Sequence, residues 1–205
     1  MKVIVMGDGG HSRVIQDMIS TMPGQKIFAI LDDKYENIQR KHGILYAPLE
    51  NVFSLMDDRS KIVIAIGDNV VRKKLVQLLN LKEQQYLTVI APDASVSKEA
   101  KIGKGTVIMP KAAINSGTSI GEFCIINTGA IIEHDNDVDN YVHISPNATL
   151  TGEVSIGEGA HIGAGATVIP GKRINEWSIV GAGSTVITEI PSYTKAVGSP
   201  ARLLK

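Results

Sequence analysis

Aliphatic residues recur at every sixth position along the C-terminal half of the chain, from Ile90 to Val186, without a change of phase. This period matches neither the 3.6-residue repeat of an α-helix nor the two-residue alternation of a strand. It is the sequence signature of a parallel β-helix, in which three hexads make one coil of about 18 residues. We expect the aliphatic residue that begins each hexad to point into the coil. These residues are Ile90, Val96, Ile102, Ile108, Ile114, Ile120, Ile126, Ile132, Val138, Ile144, Leu150, Ile156, Ile162, Val168, Ile174, Val180 and Val186.

The fifth residue of each hexad is small or short almost throughout, as expected near a corner of the coil, where little space is available. Two residues break this rule, Asn136 and Lys172. Cys124 also falls on a corner position, so we interpret it as core filler.

The N-terminal third alternates short apolar runs with helical periodicity, which predicts a small Rossmann-like α/β domain with three parallel strands. Strands are expected at residues 3–6, 27–31 and 61–66, and helices at residues 11–20 and 70–79. We place this domain at residues 1–87 and the β-helix, with a short C-terminal tail, at residues 88–205.

The three predicted strands should bring their carboxyl ends to one edge of the sheet, where such folds bind ligands. That edge would collect residues 7–11, residues 32–33 and residues 67–69. We therefore expect a ligand site of the N-terminal domain there.

The turn after the first predicted strand is rich in glycine. Gly7, Gly9 and Gly10 match the start of a dinucleotide phosphate fingerprint, but Ser12 stands where its last glycine belongs. The domain also holds only about half the strands of a full dinucleotide fold, which favours a smaller ligand with one nucleotide. A turn that only links strand to helix is the alternative. His11 begins the helix, where it could face a phosphate.

Charge and cysteine content restrict the remaining classes of protein. The 205 residues include 21 basic and 21 acidic side chains, so no net field attracts nucleic acid or an anionic membrane. The single cysteine excludes an internal disulfide and fits a reducing compartment. With no long apolar run and no leader sequence, the chain is expected to be cytoplasmic and not inserted in a membrane.

One hexad, residues 132–137, concentrates ionisable groups in a coil otherwise built of apolar and small residues. It contains Glu133, His134 and Asp135 in succession. A carboxylate beside a histidine fixes the tautomer and leaves the other ring nitrogen free to accept a proton, which is the arrangement of a general base. A solvated polar corner without a function is the alternative. We select His134 and Asp135 as the candidate catalytic pair.

Two further histidines, His143 and His161, are 18 residues apart and should stack on one side of the coil. His134 lies half a turn from His143, so the two should face different ways within one chain. In a threefold trimer, residues from the β-helices of two neighbouring chains could line one cleft. A zinc site would need three converging histidines, which this spacing does not offer, so we expect no metal.

Several short motifs occur in a fixed order along the chain. They are GDGGH at 7–11, LDD at 31–33, AIGDN at 65–69 with Arg72, INTG at 126–129, EHD at 133–135, VHIS at 142–145 and VGSPAR at 197–202. With this ordered set, the chain resembles the bacterial sugar acetyltransferases of the PglD/NeuD type over residues 3 to about 202. These proteins are hexapeptide-repeat acyltransferases, and the run from Cys124 to Gly152 especially resembles acetyltransferases of Bacillus-type exopolysaccharide clusters.

The resemblance implies a left-handed β-helix, a homotrimer and direct acetyl transfer from acetyl-CoA to an amine or hydroxyl of a nucleotide-linked sugar, for surface-glycan or exopolysaccharide synthesis. His134 corresponds to the family's catalytic base and Asp135 to the acid that raises its basicity. PglD carries Glu at this second position, so the shorter Asp135 must approach more closely or act through water.

The same resemblance implies binding residues. Contacts with acetyl-CoA correspond to His143, Gly152, Ala164 and Ala182, and backbone N–H groups near Gly152 would hold the developing oxyanion. The nucleotide-sugar pocket corresponds to Gly9, Gly10, His11, Asp32, Asp33 and Gly67.

Two other functions remain possible for this kind of coil. A serine-type small-molecule O-acetyltransferase has no need of a nucleotide pocket, and a non-catalytic hexapeptide scaffold needs neither a His–Asp pair nor affinity for CoA. The sequence leaves open the acceptor sugar, its carrier nucleotide, the choice between N- and O-acetylation, and the role of His161.

Overall fold

The computed structural model describes residues 1–204. The chain forms two compact units, Met1–Val89 and the chain from Ile90 onwards, whereas the sequence places the boundary two residues earlier. The fold class is the expected one, an α/β domain followed by a left-handed parallel β-helix. In the part of the chain that is described, no helix is long and apolar enough to cross a membrane.

The N-terminal unit is built on one five-stranded sheet. Its strands are β1 (Lys2–Met6), β2 (Lys26–Leu31), β3 (Gln39–Lys41), β4 (Ile44–Ala47) and β5 (Ser60–Ile64), and its α-helices are α1 (Gly10–Thr21), α2 (Val52–Leu55) and α3 (Asn69–Leu79), with 3₁₀ helices at Leu49–Asn51 and Glu83–Gln85. The strand order is β3-β4-β2-β1-β5, and β1 lies parallel to both β2 and β5. β1 is an uninterrupted apolar run because it is a central strand, fully buried from Val3 to Val5.

The expectation of three strands is wrong, since the sheet has five. β3 and β4 form an antiparallel hairpin whose turn uses His42 and Gly43, with φ angles of 49° and 84°. β3 is polar and exposed and carries no apolar run, whereas β4 is a four-residue apolar run, mostly half-buried, that the sequence analysis missed. The strand expected at 61–66 also ends earlier, at Ile64, because its neighbour β1 ends at Met6.

The second unit is a parallel β-helix of short strands. They are β6 (Val89–Ile90), β7 (Ser95–Val96), β8 (Lys101–Ile102), β9 (Val107–Ile108), β10 (Ala113–Ile114), β11 (Ser119–Ile120), β12 (Ile125–Ile126), β13 (Ile131–Ile132), β14 (Asp137–Val138), β15 (His143–Ile144), β16 (Thr149–Leu150), β17 (Ser155–Ile156), β18 (His161–Ile162), β19 (Thr167–Val168), β20 (Arg173–Ile174), β21 (Ile179–Val180), β22 (Thr185–Val186), β23 (Lys195–Val197) and β24 (Arg202–Leu203).

These strands form three sheets, which are the three faces of the coil. The first face contains β7, β10, β13, β16, β19 and β22, the second contains β8, β11, β14, β17 and β20, and the third contains β6, β9, β12, β15, β18, β21, β23 and β24. From β7 to β22, residues 18 apart are paired in parallel, as His143 is with His161, whereas the last strand, β24, runs antiparallel to β23. The turns between strands are therefore the corners of the coil.

The repeated aliphatic residues fill the interior from Ile108 to Val186, where each is buried. The expectation fails in the first coil, where Ile90 is 36% exposed and Val96 and Ile102 are only partly buried. That coil has another coil of its unit on one side only, so its side chains meet fewer neighbours. Cys124 is buried at its corner, as expected.

From Gly105 to Gly183, each corner turns through a left-handed residue. The fourth residue of every hexad from Gly105 to Gly183 has a φ between 53° and 68° or, at Gly117, of 74°. Glycine adopts this conformation without strain, and Asp and Asn tolerate it better than other residues do. Asp135 occupies this position with a φ of 57°, so the corner geometry fixes the backbone from which its carboxylate projects.

Candidate functional site

The acidic hexad lies at the corner between the first and second faces, in the turn that follows β13. His134 Nδ1 lies 2.8 Å from Asp135 Oδ2, so the shorter Asp135 side chain reaches the ring directly. The two side chains are 58% and 62% exposed, which leaves the pair open to solvent. If neutral His134 donates its Nδ1–H to the carboxylate, Nε2 is the nitrogen that accepts a proton.

Glycine residues on the adjacent coils make room for this pair. A Cβ at Gly152, one coil after His134, would lie 2.5 Å from Cε1 and 2.6 Å from Nε2 of the ring, and one at Gly117 would clash with Asp135 Oδ1. Gly152 is the third residue of its hexad, a position that carries a side chain in every other hexad from Lys104 to Ala182. Glycine is therefore required at 152 by the imidazole of His134 and not by the backbone of the β-helix.

The surroundings of His134 favour its protonated form. The hydrogen bond to Asp135 raises the pKa of the ring above its ordinary value of 6.5, and the negative charges of Asp135, Glu133 and Glu153 raise it further against the opposing effect of desolvation. A higher pKa makes the neutral ring a stronger base at pH values above it.

Asp135→Asn should lower the pKa of His134, because the amide keeps the shape of the side chain but removes the charge that stabilises the imidazolium. An NMR titration that follows the His134 Cε1–H signal checks this. Asp137→Asn is the matched control: Asp137 is an exposed carboxylate two residues away that does not act on the ring. A His134 pKa that is the same in the wild type and in Asp135→Asn would contradict the contact.

The remaining polar groups of the hexad are held in place. Asn136, the first residue that breaks the corner rule, is only 2% exposed, and its amide bonds to backbone groups of two coils. Glu133 Oε2 accepts a hydrogen bond of 2.8 Å from Asn115 Nδ2 on the preceding coil. These contacts distinguish the hexad from a solvated polar corner. Lys172, the other exception, is half-buried.

His143 and His161 stack on the third face, with ring centroids 4.6 Å apart and an interplanar angle of 13°. His143 Nε2 lies 3.1 Å from Asn127 Nδ2, and His161 Nε2 lies 2.8 Å from Ser145 Oγ. His161 is therefore part of an ordered pair, although sequence reasoning gave it no role. Among residues 1–204, no three His, Cys, Asp or Glu side chains lie close enough to hold a metal ion.

The residues selected for acetyl-CoA do not meet within one chain. Gly152 shares the first–second corner with His134, one coil apart. Ala164 and Ala182 are exposed and lie above one another at the corner between the third and first faces, and His143 lies on the third face. The family resemblance grouped these residues, and the structure places them on different sides of the β-helix.

The glycine turn of the N-terminal unit lies between β1 and α1. Gly7 has a φ of 104°, and a Cβ there would lie 2.8 Å from Ala65 O, so glycine is required. Ser12 is fully buried, and its hydroxyl donates to Gly7 O at 2.6 Å. Ser12 thus holds the turn from the position where the dinucleotide fingerprint has its last glycine. The helix α1 begins at Gly10, directly after the turn.

The expected edge of the sheet is assembled as the sequence predicts. At Gly9, Gly10 and Gly67 a Cβ would meet no atom within 4 Å, so the backbone there is open to close approach by a ligand. Asp32 Oδ2 accepts a hydrogen bond of 2.6 Å from the N–H of Asp8, which ties the end of β2 to the turn. Asp33 beside it is exposed.

Asp8 anchors a polar cluster that sequence reasoning missed. Its carboxylate accepts from Tyr35 Oη at 2.5 Å and pairs with Lys34 Nζ at 2.6 Å. Nothing in the sequence pattern marked Lys34 and Tyr35, because they lie in an irregular segment after β2. An apolar cavity of about 370 Å³ also opens beside Asp33, with Phe53 and Leu75 among its lining residues.

Arg72 is buried at the same edge, only 1% exposed. Its guanidinium donates to Ile66 O at 3.0 Å, to Gly67 O at 3.2 Å and to Asn69 Oδ1 at 2.7 Å. Burial, together with the smaller effect of the Arg72 charge, lowers the pKa of His11 to about 4. His11 is therefore neutral at pH 7 and could meet a phosphate as a hydrogen-bond donor, but not as a cation.

The N-terminal unit and half of the chain match known proteins by sequence. Residues 2–79 match the PglD N-terminal domain family. A stretch of 106 residues is 47% identical to UDP-N-acetylbacillosamine N-acetyltransferase of Bacillus subtilis (strain 168). The aligned part is 51% of this chain and 49% of that protein, so the chain spans about half the length of the curated relative it matches.

Two solved structures match over nearly the whole length. The acetyltransferase domain of PglB from Neisseria gonorrhoeae FA1090 in complex with acetyl coenzyme A has a TM-score of 0.90 and 32% identity, over 99% of this chain and 98% of that one. PerB from Caulobacter crescentus in complex with CoA and GDP-perosamine has a TM-score of 0.89 and 33% identity, over 100% and 98%.

Proposed function

The chain belongs to the family of bacterial sugar acetyltransferases with a PglD-type N-terminal domain, and on this premise we propose that it transfers an acetyl group from acetyl-CoA to a nucleotide-linked sugar. The observation that carries the proposal is the His134–Asp135 hydrogen bond of 2.8 Å, which leaves an accepting Nε2 beside Gly152. We favour an amine as the acceptor, because the Bacillus relative is named an N-acetyltransferase.

His134 acts as the general base in this reaction. Its Nε2 takes the proton from the sugar amine as the nitrogen attacks the thioester carbonyl, and Asp135 stabilises the imidazolium that results. The C–S bond of the tetrahedral adduct then breaks, the acetyl group stays on the sugar nitrogen, and the CoA sulfur leaves as a thiol by taking the proton from the His134 imidazolium. Because only neutral His134 accepts a proton, turnover should rise as the pH passes upward through the raised pKa of the ring. No covalent intermediate on the enzyme is required, and Cys124 is buried.

The Gly152 N–H is our candidate for the oxyanion donor. It belongs to a residue one coil after His134, at which an added Cβ would meet the imidazole ring. No backbone carbonyl within the described residues accepts from it. A fixed N–H donor that is free to bond the developing oxyanion stabilises the transition state more than the ground state.

We further propose a homotrimer in which two chains build each acetyl-CoA site. His134 and Gly152 lie at one corner of the coil, whereas Ala164 and Ala182 lie at another. In the trimer, the corner of one chain that carries His134 and Gly152 would face a neighbouring chain. That neighbour would contribute His143, from its third face, and Ala164 and Ala182, from the corner between its third and first faces. Sedimentation equilibrium should then read three times the chain mass of 21.9 kDa. A monomer that is active at the same concentration would contradict this arrangement.

The N-terminal unit is our proposed site for the nucleotide-linked sugar. Gly9, Gly10 and Gly67 leave the backbone open there, and neutral His11 and exposed Asp33 offer hydrogen-bonding groups at the same edge. We place the reaction in the cytoplasm, where acetyl-CoA and nucleotide sugars are available, and expect the product to serve surface-glycan or exopolysaccharide synthesis.

Asp33→Ala should raise the KM for the nucleotide sugar about tenfold, the loss expected for one hydrogen bond to a charged group, with kcat and the KM for acetyl-CoA unchanged. Steady-state kinetics with each substrate varied in turn checks this. Glu36→Ala is the control, since Glu36 is also an exposed carboxylate, three residues away and outside the proposed pocket. Equal effects of the two substitutions would remove Asp33 from the site.

The decisive experiment is a thiol-release assay with acetyl-CoA and a panel of UDP-, GDP- and CMP-linked sugars, each in amino and hydroxyl forms. We expect rapid thiol release with one amino sugar on one nucleotide. Release with a free amino acid such as serine, or with none of the sugars, would overturn the proposal. Release with the hydroxyl forms alone would replace N-acetylation with O-acetylation.

A further inference from the structure

Several corners of the β-helix are closed by a hydrogen bond within the turn itself. The N–H of the fifth residue of the hexad donates to the carbonyl three residues earlier, as Ala130 does to Asn127. Where another coil precedes such a turn, the residue 18 positions before its fifth residue lies directly below it. That residue is Ala or Val in every case. The fifth residues concerned are Ala112, Ala130, Ala148, Ala160, Ala166 and Ser184, which lie above Ala94, Ala112, Ala130, Val142, Ala148 and Ala166.

The turn that carries Gly152 is closed by another route. Val154 N–H donates to Asn136 Oδ1 at 3.1 Å, and Thr151 O accepts from Asn136 Nδ2 at 2.9 Å. The side-chain amide of Asn136 thus occupies the place of the hydrogen bond that the turn would otherwise make between Val154 and Thr151. The amide is inserted between these two groups, so the turn is held wider than one closed by its own bond.

The same amide also holds the turn that carries the base. Asn136 Nδ2 donates to Glu133 O at 2.6 Å and lies 3.3 Å from His134 O. With two hydrogens on Nδ2, the shorter contacts to Glu133 O and Thr151 O are its main bonds. One buried side chain therefore fixes the spacing between the backbone at His134 and the backbone at Thr151.

This arrangement also sets the direction of the Gly152 N–H. In a trans peptide the carbonyl of residue 151 and the N–H of residue 152 point in opposite directions. Thr151 O points to Asn136, which is 2% exposed inside the coil, so the Gly152 N–H points outward, on the side open to a substrate.

We propose that Asn136 is a positioning residue for acetyl transfer. Its amide holds the Thr151–Gly152 peptide at a fixed distance and orientation relative to the His134 imidazole, so that the base and the oxyanion donor act on one reacting carbonyl. This inference rests on the proposed function. It also explains why this corner holds an amide, whereas the corners beneath turns closed by their own hydrogen bond hold Ala or Val.

Other polar corner residues also bond to the turn of the next coil, an arrangement that we call a bracket. Asn136 differs from them in that its bracket lies beside His134. Thr106, Thr118 and Cys124 each donate to the carbonyl 15 residues ahead, on Gly121, Glu133 and Asp139 respectively. Thr106 and Thr118 also accept from the N–H 18 residues ahead. Asn136 donates to a carbonyl 15 residues ahead and accepts from an N–H 18 residues ahead. Thr106 makes the same two kinds of bond at the corner between the second and third faces.

The test compares Asn136→Val with Asn136→Thr, which have nearly the same shape. In Asn136→Val the turn 151–154 should close on itself, as turn 157–160 does above Val142, so the chain should still fold. We expect kcat to fall on the order of tenfold to a hundredfold, as for a reacting group misplaced by about 1 Å. Both KM values should stay within about twofold of wild type, because binding of the ground state does not depend on this peptide. Asn136→Thr should recover most of the lost kcat.

Thr106→Val is the matched control, since it removes the same kind of bracket at the second–third corner, away from the acidic hexad. It should lose stability without losing kcat. The proposal is overturned if Asn136→Val keeps the wild-type kcat, if Thr106→Val loses as much, or if Asn136→Thr recovers nothing. A wild-type protein that transfers no acetyl group to any sugar would instead refute the proposed function, so the two failures are distinct.

Discussion

His134→Ala should lower acetyl transfer by on the order of a hundredfold or more while leaving the fold and the assembly intact. The loss is large because the variant has no group that can take the proton from the attacking sugar nitrogen, and water at this exposed corner is a much weaker base. The fold should survive because the His134 side chain is 58% exposed and contributes nothing to the core.

The measurement is the thiol-release rate at saturating substrate, with circular dichroism and sedimentation to confirm that the variant is folded and assembled. Glu176→Ala serves as the control, because Glu176 is an exposed residue at the same position of another hexad. It should behave like the wild type. A His134→Ala variant that keeps more than about a tenth of the wild-type rate would show that His134 is not the general base.

Gly152→Ala is expected to have the second-largest effect. The added methyl group would lie 2.5 Å from Cε1 and 2.6 Å from Nε2 of His134, so the ring must move away. A misplacement of about 1 Å at a reacting group costs on the order of a hundredfold in rate. The backbone itself accepts alanine at this hexad position, since Ala164 and Ala182 occupy it on other coils.

A double-mutant cycle separates this mechanism from a general disturbance. If Gly152→Ala acts by displacing the imidazole, it should cost little further activity in a chain that already carries His134→Ala. Additive losses would show instead that Gly152 acts independently of the base, for example through its own N–H. Either substitution alone should leave the thermal midpoint of unfolding nearly unchanged.

The two units differed in how far the sequence predicted their folds. The six-residue period identified the β-helix and the buried positions from Ile108 to Val186, because in a coil each residue repeats the environment of its equivalents on other coils. It failed at Ile90, where the stack ends and the environment is no longer repeated. In the N-terminal unit, β1, β2 and β5 were found by their apolar runs, whereas the hairpin of the exposed edge strand β3 and the half-buried β4 was missed.

The candidate site was predicted in part. His134 and Asp135 stood out because acid–base residues are foreign to this coil, and their contact is local to one turn. Asn127, Ser145 and Asn115 were not recognised as hydrogen-bonding partners, because each meets its partner across one coil, 16 or 18 residues away. The neutral state of His11 also depends on burial and on Arg72, which is 61 positions later in the chain.

The sequence by itself determined the β-helix, the glycine turn and the position of the one hexad rich in ionisable residues, since all three are properties of short segments or of their exact repetition. Only the tertiary structure decided that Asp135 touches His134, that the imidazole requires Gly152, and that Asn136 joins the two turns. It also separated Ala164 and Ala182 from His134 within one chain. The physical reason is that contacts between coils depend on how the coils stack and on side-chain conformation. The six-residue period of the sequence shows which residues occupy equivalent positions, but not which residues they contact.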